Sequence, residues 1–215
     1  MRELSFQVEK AEALAHAAAP TLNFNLQINE AKGRSVQAVA LRCQIRIEPA
    51  KRRYEAREEE RLGDLFGEPA RWGQTLKSML WTHAGVMVPP FEGQAAVDLP
   101  VACSADFNVA AAKYFYGVEN GEVPLCFLFS GTVFYTGQDQ SLQVAQISWD
   151  KEAQFRLPVS AWKAMMEHYY PNQSWLRIHS DVFERLRQFK ARHGLATWEA
   201  ALDKLLDEAT DKVTP

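Results

Sequence analysis

Cysteine is scarce in this sequence, and no apolar run is long enough to cross a membrane as a helix. The chain has three widely spaced cysteines in 215 residues, and their odd number excludes a disulfide framework and indicates a reducing compartment. The longest apolar stretch, residues 123–135, is interrupted by Pro124 and Gly131, so it predicts a buried strand. The first residues mix charged and apolar side chains, unlike a signal peptide. We therefore expect a cytoplasmic protein that does not bind membranes.

Motifs for metals and cofactors are also missing. The five histidines and three cysteines form no CxxC, HxxxH or HExxH pattern. A structural zinc site needs such closely spaced ligand pairs, because they lower the cost of closing the site. The sequence therefore predicts neither a metal nor a cofactor.

Neither sign of charge dominates. The net charge of −3 predicts good solubility and no general attraction to nucleic acid or anionic lipid. Residues 185–193 are the exception, because they carry several basic side chains and no acidic one, and nucleic-acid binding there is an alternative function. The next predicted helix is acidic, so we expect the two helices to pack as an antiparallel hairpin with complementary charge. That pairing counts against the nucleic-acid alternative.

The clearest pattern present is an alternation of apolar and polar residues with a period of two. It runs through residues 22–28 and again through 39–48, so each segment predicts a strand with one face toward the core. Lys32-Gly33 lies where a hairpin between those two strands should turn.

Strand patterns return between residues 83 and 157. The segment 106–118 is one of the predicted strands, and hairpins are predicted across 119–122 and across 137–140. Tight turns favour antiparallel pairing, and the sequence lacks the βαβ rhythm of a parallel sheet.

Helical spacing interrupts the strands and then dominates the last third of the chain. Residues 51–81 predict a helical insertion whose second helix spans 72–81, and further helices are predicted from Pro158 onward. The expected fold is therefore α+β, an antiparallel β-sandwich or curled sheet of about eight strands with a C-terminal helical segment. We expect a β core at 1–157, with the helices of 158–215 packed on the same domain. The oligomeric state stays open.

Cys103 is a candidate nucleophile, with His83 and Asp106 as its partners. A nucleophilic cysteine needs a base within hydrogen-bond reach and an electropositive, partly exposed setting. His83 lies on a neighbouring predicted strand, which allows a contact without implying one. The favoured interpretation is that Cys103 packs at a strand end and Asp106 caps a turn. A cysteine-dependent enzyme is thus an alternative function.

Arg53, Arg57 and Arg61 are spaced four residues apart and could line one helix face. Such a face can hold phosphate or carboxylate groups, which makes the three residues candidates for anion binding. Glutamates between positions 55 and 60 nearly cancel their charge. A solvated, self-paired helix surface is the favoured interpretation.

The densest aromatic cluster consists of His168, Tyr169, Tyr170 and Trp175. Large aromatic residues usually fix helices onto a sheet, but at a surface they are hot spots for a partner. We therefore expect a protein-binding surface at this cluster.

Five separated segments of the chain resemble a bacterial family known only as a domain of unknown function. They are LRCQIRIEPAKRRY, LFGEPARWGQTLKSMLWTH, DFNVAAAKYF, GEVPLCFLFSGTVFYTG and YYPNQSWLRI. The family is associated with actinobacterial gene neighbourhoods that contain a [NiFe]-hydrogenase. The resemblance implies a non-catalytic accessory or assembly role, with a hydrogenase subunit or maturation factor as the partner.

The family contributes no catalytic residues that could be transferred to this chain. Its members often have an aromatic residue before the aspartate of the CSADF segment, whereas this sequence has Ala105 there. This departure counts against a special role for that loop.

Overall fold

Strands are the commonest secondary structure in the first three quarters of the chain. A computed structural model describes residues 3–103, 109–137, 139–173, 176 and 178–211. The strands in these ranges are β1 (Leu4–Ala13), β2 (Thr21–Glu30), β3 (Ser35–Val36), β4 (Ala38–Ile47), β5 (Met79–Val88), β6 (Phe91–Glu92), β7 (Gln94–Ala102), β8 (Glu122–Thr136), β9 (Leu142–Gln146) and β10 (Glu152–Pro158). The α-helices are α1 (Ala56–Phe66), α2 (Trp72–Thr75), α3 (Val109–Gly117), α4 (Val159–Tyr169), α5 (Ser180–Arg192) and α6 (Trp198–Asp211). Short 3-10 helices at Pro49–Lys51 and Pro69–Arg71 flank α1.

The strands form two main antiparallel sheets and a small ribbon. The smaller sheet has the order β1-β2-β7, and the larger has the order β10-β8-β4-β5, with β9 pairing with β8 beside β10. The ribbon consists of β3 and β6. This arrangement confirms the predicted α+β class and its antiparallel sheets.

The two main sheets face each other through the apolar side of each alternating strand. In β2, Leu22, Phe24, Leu26 and Ile28 are fully buried, and the alternate side chains of β4 are buried in the same core. Rings from opposite sheets meet there: Phe24 and Phe127 have centroids 5.1 Å apart. The period-two alternation therefore predicted correctly which side chains form the interior of a sandwich.

Residues 106–118 do not form the predicted strand, since the described part of this segment contains α3. Its buried side chains are those of Ala111, Tyr114 and Phe115, followed by Val118. These positions follow the i, i+3, i+4, i+7 spacing of a helix, and the alanines before Lys113 favour helix formation. The turn at 119–122 consequently joins a helix to β8 and is not a hairpin.

Two further local predictions were wrong. The helix predicted at 72–81 ends at Thr75, because the rest of the segment enters β5, where it pairs with β4. The hairpin predicted at Lys32-Gly33 does not form, since β2 and β4 belong to different sheets. In contrast, β8 and β9 do pair across the turn predicted at 137–140; Gln138 lies outside the described residues.

The chain divides into two compact units, Met1–Gln173 and Ser174–Pro215. The division falls after α4, so α4 belongs to the same compact unit as the strands. The docking of the last helices on the β core stays a prediction. None of the helices within the described ranges is long and apolar enough to cross a membrane.

The second unit contains α5 and α6. The Phe183 and Trp198 rings lie 5.0 Å apart, the Lys190 ammonium lies 5.5 Å from the Trp198 centroid, and Thr197 Oγ1 caps α6 by accepting the Ala200 N–H at 3.1 Å. The packing of α5 with α6 therefore uses aromatic and cation–π contacts.

Candidate functional site

An aromatic groove lies where α3 and α4 meet. On α3, Tyr114 and Phe115 point into the core, whereas Tyr116 is 36% exposed. On α4, the buried side is formed by Val159, Trp162, Met165 and Met166. The remaining side of α4 therefore faces outward beside Tyr116.

Trp162 holds the two helices together. Its ring stacks on Phe115 with centroids 5.0 Å apart and an interplanar angle of 12°. The Tyr116 ring meets it nearly at a right angle, at 4.9 Å. Aromatic contacts of this kind fix ring positions as well as burying area, so Trp162 is a rigid base for the groove.

The groove is open and has a volume of about 430 Å³. Its lining includes Tyr116, Trp162, Lys163, Ala164, Glu167 and Tyr170. A volume of this size is within the range of sites that take a small ligand or one large side chain.

One carboxylate and one ammonium line the groove. The chain turns after α4 at Asn172, which has a φ of 55°, and the Asn172 N–H donates to Glu167 Oε1 at 3.1 Å. Lys163 Nζ donates to the carbonyl oxygen of Glu119 at 3.2 Å. Burial raises the pKa of Tyr116, and the nearby Tyr170 and Glu167 add to the rise.

A buried ion pair fixes the segment that receives Lys163. Arg52 donates to Glu58 Oε1, and the same oxygen accepts the Glu119 N–H at 2.6 Å. Burial acts to raise the pKa of Glu58, but the hydrogen bonds from Glu119 and Arg52 lower it overall. The pair is enclosed and joins α1 to the connection between α3 and β8, which indicates a structural role.

The predicted aromatic cluster divides into residues with different roles. The Tyr169 hydroxyl lies within hydrogen-bond distance of two carbonyl oxygens, Leu14 at 2.7 Å and Ala17 at 3.0 Å, and His168 Nε2 lies 3.3 Å from the Ala15 oxygen. These two residues anchor the loop between β1 and β2. Tyr170 lines the groove, and Trp175 lies outside the described residues.

The predicted cysteine site gains no support from the geometry. Cys103 is only 6% exposed, its thiol donates to the Val101 oxygen at 3.3 Å, and burial raises its pKa to about 12. His83 is exposed and pairs in register with Gln44 of β4. A nucleophilic cysteine needs the opposite: a thiol with a lowered pKa that is partly exposed to solvent. Asp106 lies outside the described residues, so the complete triad stays a prediction.

The three candidate arginines do not form a continuous cationic face. Arg53 precedes the first residue of α1, while Arg57 and Arg61 both pair with Glu119, at 3.5 Å and 2.9 Å. Their partner lies outside α1, so these two arginines are not paired with the glutamates of their own helix, and the self-paired interpretation stays a prediction. Anion binding by this set stays a prediction without support from the geometry.

The basic segment 185–193 is partly occupied by contacts within its own unit. Arg187 pairs with Glu184 at 2.6 Å, Lys190 lies over the Trp198 ring, and Arg192 Nε donates to the Gln188 carbonyl at 3.4 Å.

Within the described ranges, no group of three or more His, Cys, Asp or Glu residues could hold a metal ion.

A profile built for one protein family covers residues 1–214 of the chain. The chain belongs to this family, which is described as a family of unknown function (DUF6084). The comparison with curated proteins found no match.

Solved structures resemble the chain only remotely. The CARDB domain of a Pyrococcus furiosus protein in complex with di-metal ions is 8% identical, with a TM-score of 0.29 over 73% of this chain and 92% of that one. A β-glucosidase from Kluyveromyces marxianus is 9% identical, with a TM-score of 0.25 over 72% of this chain and 15% of that one. β-Glucosidase 3B from Thermotoga neapolitana, in complex with α-D-glucose, is 12% identical, with a TM-score of 0.23 over 72% and 17%. These scores are too low to carry an argument about function.

In this DUF6084 member, sequence reasoning missed two surface features. Tyr116 falls in the segment predicted as a strand, because a short apolar segment does not separate helix from strand by periodicity alone. Trp149, between β9 and β10, is 92% exposed. No described residue covers Trp149, and its exposure alone supports no specific ligand.

Proposed function

We propose that this DUF6084 protein is a non-catalytic accessory protein of the cytoplasm that binds another protein through the α3–α4 groove. The groove is the observation that carries the proposal. Its aromatic side chains stand partly exposed on a rigid base, and interfaces favour such residues as binding anchors.

The surroundings of the groove suit binding better than catalysis. Lys163 and Glu167 are the charged groups of its lining, and each already makes a hydrogen bond to the protein backbone. General acid–base chemistry needs a group positioned to exchange a proton with a substrate. Side chains held in this way are poorly placed for that chemistry.

The resemblance to proteins from hydrogenase gene neighbourhoods suggests the partner. We propose a subunit of a [NiFe]-hydrogenase or one of its maturation factors, bound during assembly.

Site-specific photo-crosslinking tests the groove directly. A photoreactive amino acid at Ala164, which is exposed on α4, is expected to capture a defined partner in cells that express the hydrogenase. The same group at Gln7, exposed on β1, is the matched control and should not capture that partner. Mass spectrometry identifies the crosslinked protein.

The purified partner then allows a quantitative test. A164R places a bulky charge in the groove and should weaken binding at least about tenfold, whereas Q7R should leave the affinity unchanged. Thermal unfolding of both variants checks that they are folded. Equal affinity of A164R and the wild type would contradict the groove as the binding site.

A further inference from the structure

We infer that the α3–α4 groove recognises a basic side chain, arginine or lysine, of the partner protein. This inference rests on the proposed function and adds the chemistry of the contact. It is carried by the combination of aromatic rings with one available carboxylate in the same groove.

The aromatic part of the groove suits a cation. The Tyr116 ring, 36% exposed, stands at a right angle to Trp162, which is only 2% exposed and stacks on Phe115. Tyr116 and Tyr170 are therefore the rings of the lining that a ligand can reach. The face of an aromatic ring carries a negative partial charge and attracts a guanidinium or ammonium group within about 6 Å. Several rings around one site strengthen this preference, as in sites that bind alkylated ammonium groups.

The carboxylate of Glu167 supplies the formal charge. Glu167 is exposed, and its Oε1 accepts the Asn172 N–H at 3.1 Å, which orients the side chain. Its Oε2 has no hydrogen-bond partner within the part of the chain that the structure describes. Glu167, Tyr116 and Tyr170 line the same groove. A carboxylate oxygen beside an aromatic face is well suited to arginine, which can stack and donate at once.

Lys163 does not reverse this preference. It lies one helical turn before Glu167, and its ammonium is bonded to the Glu119 carbonyl. The Arg52–Glu58 pair fixes Glu119 through its N–H. The ammonium is therefore held at the connection between α3 and β8, while the carboxylate retains a bonding oxygen.

Short peptides test the inference on the full chain. Glycine-flanked peptides that contain arginine, lysine or citrulline are titrated while the Trp162 indole N–H and the Glu167 and Tyr170 amides are followed by NMR. The arginine peptide, the lysine peptide or both should cause saturable shifts at these signals. Citrulline has nearly the shape of arginine without its charge, so it should cause none. Equal shifts with citrulline, or no shifts with any peptide, would overturn the inference.

Two charge variants one turn apart give the sharper test. E167Q keeps the oxygen that accepts the Asn172 N–H but removes the charge, and it should weaken the basic peptide about three- to tenfold. K163Q removes the positive charge from the same lining and should strengthen binding of the basic peptide. The opposite result, weaker binding with K163Q and none of the expected loss with E167Q, would show that the groove prefers an anion.

Variants of Tyr116 separate the aromatic contribution from packing. Y116F keeps the ring and should retain peptide binding, whereas Y116L keeps apolar bulk and should lose at least about threefold in affinity. Equal affinities of Y116F and Y116L would remove the cation–π part of the inference.

The partner experiment separates failure of this inference from failure of the proposed function. If A164R abolishes partner binding and E167Q does not change it, the groove is a binding site but does not recognise a basic side chain. If neither variant changes partner binding, the groove is not the partner site, and the proposed function is overturned as well.

Discussion

Glu30, the last residue of β2, holds the following turn with a buried carboxylate. Its Oε1 accepts hydrogen bonds from Arg34 Nε at 2.9 Å and Arg34 Nη2 at 2.6 Å. Its Oε2 accepts the N–H groups of Lys32 and Arg34, at 3.0 Å and 2.8 Å. Burial acts to raise the pKa of Glu30, but these bonds outweigh it and hold the pKa at about 2, below the ordinary value of 4.5.

We predict that Glu30 makes stability depend on pH in the acid range. Because its pKa is lowered in the folded state, the contribution is present above pH 4.5 and is lost as the pH falls toward 2. E30Q should lower the free energy of unfolding at neutral pH by about 2 kcal/mol and make the acid decline shallower. Urea unfolding at several pH values measures both effects. The control E9Q, at an exposed position on β1, should change neither, and an unchanged acid decline in E30Q would contradict the prediction.

Cys103 gives a second prediction at the scale of one residue. Its pKa of about 12 leaves almost no thiolate at neutral pH, and the thiolate is the reactive form. Iodoacetamide should therefore modify Cys103 at least about a hundredfold more slowly in the native chain than in the unfolded chain. Mass spectrometry of timed samples measures the rate. H83A should not alter it, and rapid alkylation that depends on His83 would support the cysteine enzyme.

At the scale of the element, the sequence predicted strands better than helices that pack on them. The strand β4 shows alternation because one face is buried and the other is not, and this pattern is readable without the fold. α3 was mistaken for a strand because its segment is apolar on several sides, with Tyr114 and Phe115 both in the core. Short apolar segments of this kind do not separate helix from strand by periodicity alone.

Strand β8 changes partner along its length, and Gly131 lies at the change. Glu122–Leu128 pairs with β10, and Thr132–Thr136 pairs with β9. Gly131 has a φ of 138°, and a Cβ atom there would lie 2.1 Å from the Ala40 carbonyl oxygen. Because that oxygen belongs to the backbone of the neighbouring strand β4, it cannot move aside without disturbing the sheet.

We predict that G131A lowers the free energy of unfolding by about 2 kcal/mol or more, through backbone strain and this collision. Chemical unfolding followed by circular dichroism measures the loss. G63A in α1 is the matched control, because a Cβ at Gly63 would meet no atom within 4 Å. It should be neutral or stabilise the protein by up to about 1 kcal/mol. A G131A variant as stable as the wild type would show that the strands can shift apart there.

At the scale of the whole molecule, the sequence predicted the fold class but not the groove. A sandwich follows from repeated alternation and tight turns, which are local signals. The groove depends on Tyr116 of α3 lying beside Trp162 of α4, residues far apart in the chain, and no local pattern encodes that contact. The predicted cluster included Tyr170, which does line the groove. Its other described members, His168 and Tyr169, anchor a loop, because a dense aromatic cluster can serve internal packing as well as binding.

The two compact units should differ in how often they open. The central strands β2, β4 and β8 carry many fully buried side chains, whereas α5 has no buried residue. Local opening costs little where few apolar contacts are broken.

We therefore predict that amides of Ser180–Arg192 exchange with deuterium at least about a hundredfold faster than amides of β2 and β4. Hydrogen exchange followed by mass spectrometry, with peptides from α3 and α4 as an internal comparison, measures the difference. Since Trp162 fixes α3 and α4 to each other, their amides should exchange more slowly than those of α5. Comparable protection in all these segments would mean that the units open together, and α5 would then have to draw stability from more than its own packing.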